Sequence, residues 1–472
     1  MAYERIEQPC DFEVRTDGDN DNGGGFAAAA SSYSTGTDRS QQAAAHVATG
    51  SAGVTATTMA GSGSSYRTKV VLSGYTVSSA DVGNLVNLTC TDSDVFDGLY
   101  MIAGADSSAN TWEFTEENRN STTALNASGV SVTFKMGGGW ADLGFWGSKN
   151  DIWWNDHWAI NVWIRAGTYT YSTTSVNTEG GPFSAPSDNC LFKIEGYETT
   201  RGDSRSGGAR PVIAAGSSGF TGTMMKIIWI SVFHLELDGG GTATVGFEGD
   251  EYHTLVANCK VGNMDTSSGA GFYKRMTAVA CEATGCYRGY YNAIQAVDSV
   301  AHDCTTGFES PRFPIRRCLA YDCTTGFALT SDGGAIYCTA DDCSTAGFSG
   351  TDDRLRAIAS VATNCGTGFN FTSGTNRGTL LYECAGYNNT TNYSSSLAVV
   401  EGFITPGADP WEDQSGRDYR LNDSATGGEL LKGKGLGFPN QTADSDINAF
   451  VTASSGGGSS TVVTPGPVQI GM

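Results

Sequence analysis

Cys304-Thr-Thr-Gly307-Phe308, Cys323-Thr-Thr-Gly326-Phe327, Cys343-Ser-Thr-Ala-Gly347-Phe348 and Cys365-Gly-Thr-Gly368-Phe369 are four copies of one phrase. Cys286-Tyr-Arg-Gly289-Tyr290 precedes them and Cys384-Ala-Gly386-Tyr387 follows, so the six cysteines stand 18, 19, 20, 22 and 19 residues apart. A period of about 20 residues marks a solenoid, because one such unit has an apolar face that it buries only against copies of itself. Leucine is scarce in the copies, which excludes leucine-rich repeats, and the period is shorter than the roughly 33–47 residues of helical repeats. Short β runs punctuated by Asn, Asp and Gly fit a rung of a parallel β-helix.

Three columns give the rung its anatomy. Asp303, Asp322, Asp342, Asn364 and Glu383 stand just before successive cysteines and read as polar turns. Cys281, Ser299, Cys318, Cys338 and Ser360 form a second column of small residues, and the Phe or Tyr after each Gly predicts an aromatic stack from rung to rung. The fold class is therefore all-β: a parallel β-helix of about 20 residues per rung, preceded by a small antiparallel β module.

The chain of 472 residues carries 28 Lys+Arg against 50 Asp+Glu, a net charge of −22, which argues against nucleic acid as a partner. Its 63 Gly suit a turn-rich β protein. Met1-Ala-Tyr-Glu-Arg-Ile-Glu lacks the apolar core of a secretory signal, and Ile227–Phe233, the longest apolar run, is too short to span a membrane. Ten of the thirteen cysteines fall in the solenoid from Cys259 onward and read as reduced, buried small apolar residues. Disulfides between the two columns, such as Cys318 with Cys323, are the weaker reading. With no paired Cys-x-x-Cys and five His, no metal is expected, nor any cofactor.

In chain order, residues 1–65 read as a flexible arm and 66–137 as the small β module. Residues 138–225 form a Trp-rich cap with the first irregular rungs, and 226–395 the regular parallel β-helix. A C-terminal cap over 396–452 and a flexible tail over 453–472 complete the order, with Val468-Gln-Ile470 as a possible docking strand. Asp17, Asp19 and Asp21 alternate as calcium ligands do, but no Glu closes the loop at the twelfth position, so an acidic turn is expected. Arg201-Gly-Asp203 matches an integrin tripeptide by chance.

Six of the nine tryptophans lie between Trp140 and Trp163. Their main reading is a plug for the open end of the solenoid, and the alternative is a sugar platform built from Trp153, Trp154 and Trp158. Glu309-Ser-Pro-Arg-Phe-Pro-Ile-Arg-Arg317 is the one basic patch in the repeats, so Arg312, Arg316 and Arg317 are candidates for contact with a ligand or partner. Parallel β-helices often act on polysaccharides, which makes Asp341, Asp342, Asp352 and Asp353 weak catalytic candidates. Adjacent strand residues face opposite ways, so a working carboxylate pair has to come from neighbouring rungs.

With these pieces assembled, the chain resembles phage-type right-handed parallel β-helix proteins of the pectate-lyase-like superfamily. The matching stretches are Phe12-Glu-Val-Arg-Thr-Asp-Gly with Gly23-Gly-Gly-Phe26, and Ala80-Asp-Val-Gly-Asn-Leu-Val-Asn87 with Gly98-Leu-Tyr100. Ile164-Arg-Ala-Gly-Thr-Tyr169, Ile194-Glu-Gly-Tyr197 and the repeat itself extend the match to about three quarters of the chain. The resemblance implies a virion surface protein: a capsid decoration, head fibre, or tail spike or fibre. Such a protein is assembled in the host cytoplasm and is commonly a homotrimer. Its implied partners are other virion proteins of capsid or tail, and host-surface polysaccharide. The acidic and basic motifs of the superfamily's enzymes do not map onto this chain, so a non-enzymatic structural or adhesive role is the leading expectation. A tailspike-like polysaccharide depolymerase, hydrolase or lyase, is the alternative, and a non-viral surface or filament protein a further one.

Overall fold

Each rung is three short strands joined at two sharp corners, and the sequence columns mark those corners. In a computed structural model, described for residues 4–6, 9–28, 34–47, 54–59, 67–72, 74–90, 98–114, 131–141, 152–154, 160–171, 176–177, 192–203, 209–216, 220–227, 230–249, 254–330, 333–352, 354–372, 379–394 and 399–432, the architecture is a right-handed parallel β-solenoid with a small antiparallel module. The chain divides into two compact units, Met1–Phe313 and Pro314–Met472.

In the first unit, sheet 1 starts with Cys10–Val14, which pairs in parallel with Ile160–Arg165. Phe192–Tyr197, Ile230–Phe233, Thr254–Ala257, Met276–Val279 and Gln295–Val297 follow, one per rung. Sheet 2 runs from Thr168–Tyr171 to Val300–His302, and sheet 3 from Val176–Asn177 to Thr306–Glu309. The second unit repeats the plan from Ile315–Arg316, Leu319–Tyr321 and Thr325–Ala328 to Val399–Glu401, Ala385–Tyr387 and Thr391–Tyr393.

Both corners use a single left-handed residue. Between sheets 2 and 3 these are Asp303, Asp322, Asp342 and Asn364, with φ of 53, 52, 50 and 53°. Asp and Asn tolerate that region better than other side chains, which is the physical content of the polar column. Between sheets 1 and 2 they are His234, Asn258, Ala280, Asp298, Arg317, Tyr337, Ala359 and Glu383. Glu383-Cys384 therefore belongs to this other corner, and Asn388-Asn389 is the true successor of Asn364-Cys365. Asn389 stands where a thiol stood, and its Oδ1 accepts the Cys365 amide at 2.8 Å.

The residue after each corner points inward. Cys10 and the ten solenoid cysteines are buried free thiols, and each of Cys286, Cys304 and Cys365 donates to the carbonyl two residues back, at 3.3, 3.2 and 3.1 Å. Burial pushes Cys281, Cys338 and Cys384 up to about 12. The Gly column has a steric cause: a Cβ on Gly289 would meet the Gly307 carbonyl oxygen at 2.6 Å, and one on Gly347 the Gly368 oxygen at 2.9 Å. The aromatic stack is present in both units. Phe272, Tyr290 and Phe308 stack at 4.7 and 4.5 Å, and Phe327, Phe348 and Phe369 at 4.7 and 4.8 Å.

The N-terminal segment departs from the expected arm over 1–65. Gly25–Ala27 pairs antiparallel to Cys10–Val14, and Trp140 lies buried against Phe12 at 5.3 Å with its indole N–H on the Asn22 carbonyl. The expectation failed because few of these residues are large, whereas the few that are (Phe12, Val14, Phe26) sit at inward positions. Glu13, wholly buried, accepts from the Tyr197 hydroxyl and from Arg201 Nε at 2.9 Å, while Arg201 Nη1 reaches Asp38 at 2.9 Å. Asp203 accepts the amides of Glu198, Thr199 and Thr200, so both charges of Arg201-Gly-Asp203 are committed to the fold.

The antiparallel module begins earlier than residue 66, at His46–Val47. Val54–Met59, Arg67–Val71, Thr111–Phe114, Gly98–Asp106 and Leu85–Cys90 pair in that spatial order, and Ser131–Met136 pairs with both ends to close a barrel. Trp112, Phe114, Phe134 and Ile102 fill it. Buried Asp81 accepts from the Tyr75 hydroxyl at 2.7 Å, Trp112 Nε1 at 3.2 Å and the Ser78 amide at 3.0 Å. The expected tail over 453–472 lies outside the described residues, as does the part of the expected cap after 432. No helix among the described residues is long and apolar enough to cross a membrane.

Candidate functional site

Two clusters of chemically capable side chains lie on the outer faces, one in each unit. The first gathers the sequence candidates. Asp341 ends the sheet-2 strand Thr339–Asp341 beside Tyr321 and Thr363, on the face away from the core. It is nevertheless fully buried, because the C-terminal hairpin Trp411–Asp413 with Asp418–Leu421 folds over it. Asp341 Oδ1 accepts from Thr363 Oγ1 at 2.6 Å, Asn364 Nδ2 at 3.1 Å and Gln414 Nε2. Its Oδ2 accepts from the Tyr419 hydroxyl at 2.8 Å, with Arg417 Nη1 at 3.5 Å. Buried polar groups cost stability unless paired, and this carboxylate has a donor on every side. Burial and the charge of Asp341 raise the Tyr419 phenol.

Asp342 is the exposed corner residue beside it. Partial burial raises its carboxyl, followed by the charges of Asp322 and Asp341 and a hydrogen bond with Asp322. Asp322, one rung earlier, accepts from Arg417 Nη2, and the Arg417 guanidinium lies 4.7 Å from the Tyr321 ring centroid. The structure thus joins Asp341 and Asp342 in one cluster and adds Asp322, Gln414, Arg417 and Tyr419, which sequence reasoning missed. Asp322 was visible only as a turn, and the hairpin residues lie 70 or more positions away with no repeat to register them. Asp352 sits in the turn after sheet 3, half-exposed, and Asp353 lies outside the described residues.

The basic candidates do not converge on it. Arg312 is exposed near the end of the first unit. Arg316 lies on the strand Ile315–Arg316 opposite Ile336, and Arg317 takes a left-handed corner at φ 49°. Trp153 and Trp154 lie on Ile152–Trp154, paired in parallel with Arg5 and Ile6; Trp158 and the side chains of Trp153 and Trp154 fall outside the described residues.

The second cluster is on sheet 3 of the first unit. Glu248, Tyr273, Tyr291 and Glu309 occupy one outward column in successive rungs. Tyr273 and Tyr291 stack at 5.4 Å. The Arg288 guanidinium lies 4.7 Å from the Tyr287 ring and 4.4 Å from the Tyr291 ring, and its Nε donates to Glu309 at 2.7 Å. Lys274 Nζ lies 5.0 Å from the Tyr273 ring and 2.7 Å from Glu248. The signal was legible as a departure from the repeat: Tyr287-Arg288 replaces the Thr-Thr of the next two copies, and Tyr291 stands where later rungs carry Ala328 and Ser349. On the adjoining sheet 2, His302 bridges Asp303 at 2.7 Å and Glu282 at 3.2 Å. Among the described residues, no group of three or more His, Cys, Asp or Glu is placed to hold a metal ion.

Neither a protein-family model nor a curated protein matches this sequence. Among solved structures, "The complex structure of XylC with xylose" is similar over 85% of this chain and 88% of that chain, at 7% identity and a TM-score of 0.30. With so loose a likeness, the fold rests on the strand register given above.

Proposed function

We propose that the protein is a non-enzymatic surface projection of a bacteriophage particle, which contacts host polysaccharide through the Tyr–Arg–Glu face of sheet 3. One observation carries the reading: the rungs holding Tyr273, Tyr287, Arg288 and Tyr291 break the Thr-rich surface of the repeat with aromatic rings, a planar cation and carboxylates. Rings offer apolar surface to the C–H groups of a pyranose, while Glu248, Glu309 and Arg288 are suited to its hydroxyls. A net charge of −22 disfavours a polyanionic glycan, so the fitting ligand is a neutral one. The virion setting is supported by the resemblance of the N-terminal and barrel motifs.

Titrating the whole chain with neutral surface-polysaccharide fragments of the host tests the reading. Arg288→Ala and Tyr291→Ala are expected to weaken binding at least about tenfold, which corresponds to ~1.4 kcal/mol. Wild-type affinity in both variants overturns it.

A second reading, a polysaccharide hydrolase, is favoured by Asp342 and Asp322: they stand on neighbouring rungs with one carboxyl raised and the other held by Arg417. The pair is within mutual hydrogen-bonding reach, closer than the roughly 5–5.5 Å of a retaining pair. Oligosaccharide release that disappears in Asp342→Asn would establish this reading over the first.

A further inference from the structure

A strap of chain ties the barrel to the first rungs. On the solenoid side, Arg201 Nη1 donates to Asp38 and Nη2 to Ser40 Oγ, at 2.9 and 2.8 Å, and the Gly139 amide donates to Gln42 O at 2.8 Å. On the barrel side, the Thr37 amide donates to Ala80 O at 2.8 Å. Asn84 accepts the Arg39 amide on Oδ1 at 2.9 Å and donates from Nδ2 to Thr37 O at 2.8 Å. The strap then runs into His46–Val47, which pairs antiparallel with Met136 and Lys135 of the closing barrel strand.

At this end a cation meets a histidine. Arg39 Nη1 lies 2.8 Å from His46 Nε2, and its Nη2 lies 3.4 Å from Asp81 Oδ1. A guanidinium nitrogen only donates, so His46 Nε2 accepts, and the imidazole is neutral with its proton on Nδ1. A proton added to Nε2 turns the acceptor into a second donor and sets two cations face to face. The groups packed around the pair do not offset this. Asp81 is wholly buried and already accepts from Tyr75, Trp112 and Ser78. The Tyr75 ring stands edge-on to the imidazole at 6.4 Å, and Lys135, the strand partner of Val47, adds a further positive charge that is held on Asp19 and Asp21.

We propose that His46 is an acid-released latch: protonation at Nε2 expels it from Arg39, frees the His46–Val47 strand from the barrel and slackens the strap between barrel and rungs. Burial, then the charge of Arg39, push the imidazole below its ordinary value, against the pull of Asp81. The closed latch therefore binds the proton less well than the open one. Its contribution is full above the unfolded value of about 6.5 and is lost as pH falls from there through the lower folded value. At the far end of the strap Glu13, raised chiefly by burial, has the opposite sign and favours the closed form as pH falls, so a variant has to assign the effect to His46.

Amide exchange on the full chain, corrected for the intrinsic rate, tests the latch. Between about pH 7.5 and about pH 5 the wild type is expected to lose protection at His46–Val47 at least about threefold, with Leu85–Cys90 and Thr111–Phe114 unchanged. His46→Gln, whose side-chain oxygen still accepts from Arg39, is expected to show no such pH response. Nitrogen NMR of histidine-labelled wild type is expected to find His46 as the Nδ1–H tautomer at about pH 7.5, titrating at the midpoint of the exchange change. Equal pH responses in wild type and His46→Gln overturn the proposal, as does a wild type that shows none. A His46 that carries its proton on Nε2 at about pH 7.5, or titrates away from the exchange midpoint, overturns it whether or not the variant folds.

Discussion

Removing the Asp341 carboxylate separates a structural from a chemical role. In Asp341→Ala, five donors lose their acceptor: Thr363 Oγ1, Asn364 Nδ2, Gln414 Nε2, the Tyr419 hydroxyl and Arg417 Nη1. Asn364 and Gln414 are partly exposed and regain water, but Thr363 and Tyr419 are wholly buried. Each buried donor left unpaired costs about 1–3 kcal/mol, so the hairpin loses roughly 2–6 kcal/mol of its attachment. Trp411, whose indole N–H donates to Thr363 at 3.2 Å, is released with it. Amide exchange should show residues 411–421 opening in the variant while the rungs at 334–371 keep their protection. Urea denaturation should show an early transition absent from the wild type. Unchanged exchange over 411–421 and an unchanged midpoint would refute the assignment of Asp341 as the hairpin's anchor.

Three further outcomes follow from the packing and charge of the rungs. Gly347→Ala forces a methyl against the Gly368 carbonyl and should lower stability by about 1–3 kcal/mol, read as a drop in thermal midpoint. Phe348→Ala opens a cavity in a stack whose rings are 4.7 and 4.8 Å apart, and should cost about 3–5 kcal/mol by denaturant titration. His302 carries a pH dependence: burial pushes its pKa down, but Glu282 and Asp303 outweigh that and raise it, with Lys260 and Thr284 the other polar groups facing the cluster. A raised folded pKa contributes stability that is full below the unfolded value of about 6.5 and lost as pH rises through the folded value. The gap in stability between wild type and His302→Gln should therefore be wider at pH 6 than at pH 9.

The solenoid was legible because each rung repeats the same three demands: a left-handed corner, a small inward residue and a Gly that leaves no room for a Cβ. Those demands write an Asp or Asn, a Cys and a Gly-Phe into each copy from Asp303 to Phe369. The N-terminal strand was not legible, since Cys10–Val14 occurs once and its partner Ile160–Arg165 lies about 150 residues away. The Asp341 anchor was hidden for the same reason, its donors coming from a hairpin with no period. Tyr287-Arg288 was in plain view as a departure from Thr-Thr, but a repeat is read for what it keeps, and function here is sought in what it changes.

The central claim is most directly met by imaging intact phage particles, from a lysate that produces this chain, with an antibody raised against it. The account predicts gold label on the outside of the particle, unchanged by nuclease. Particles free of the protein, with the chain recovered elsewhere in the lysate, would contradict it.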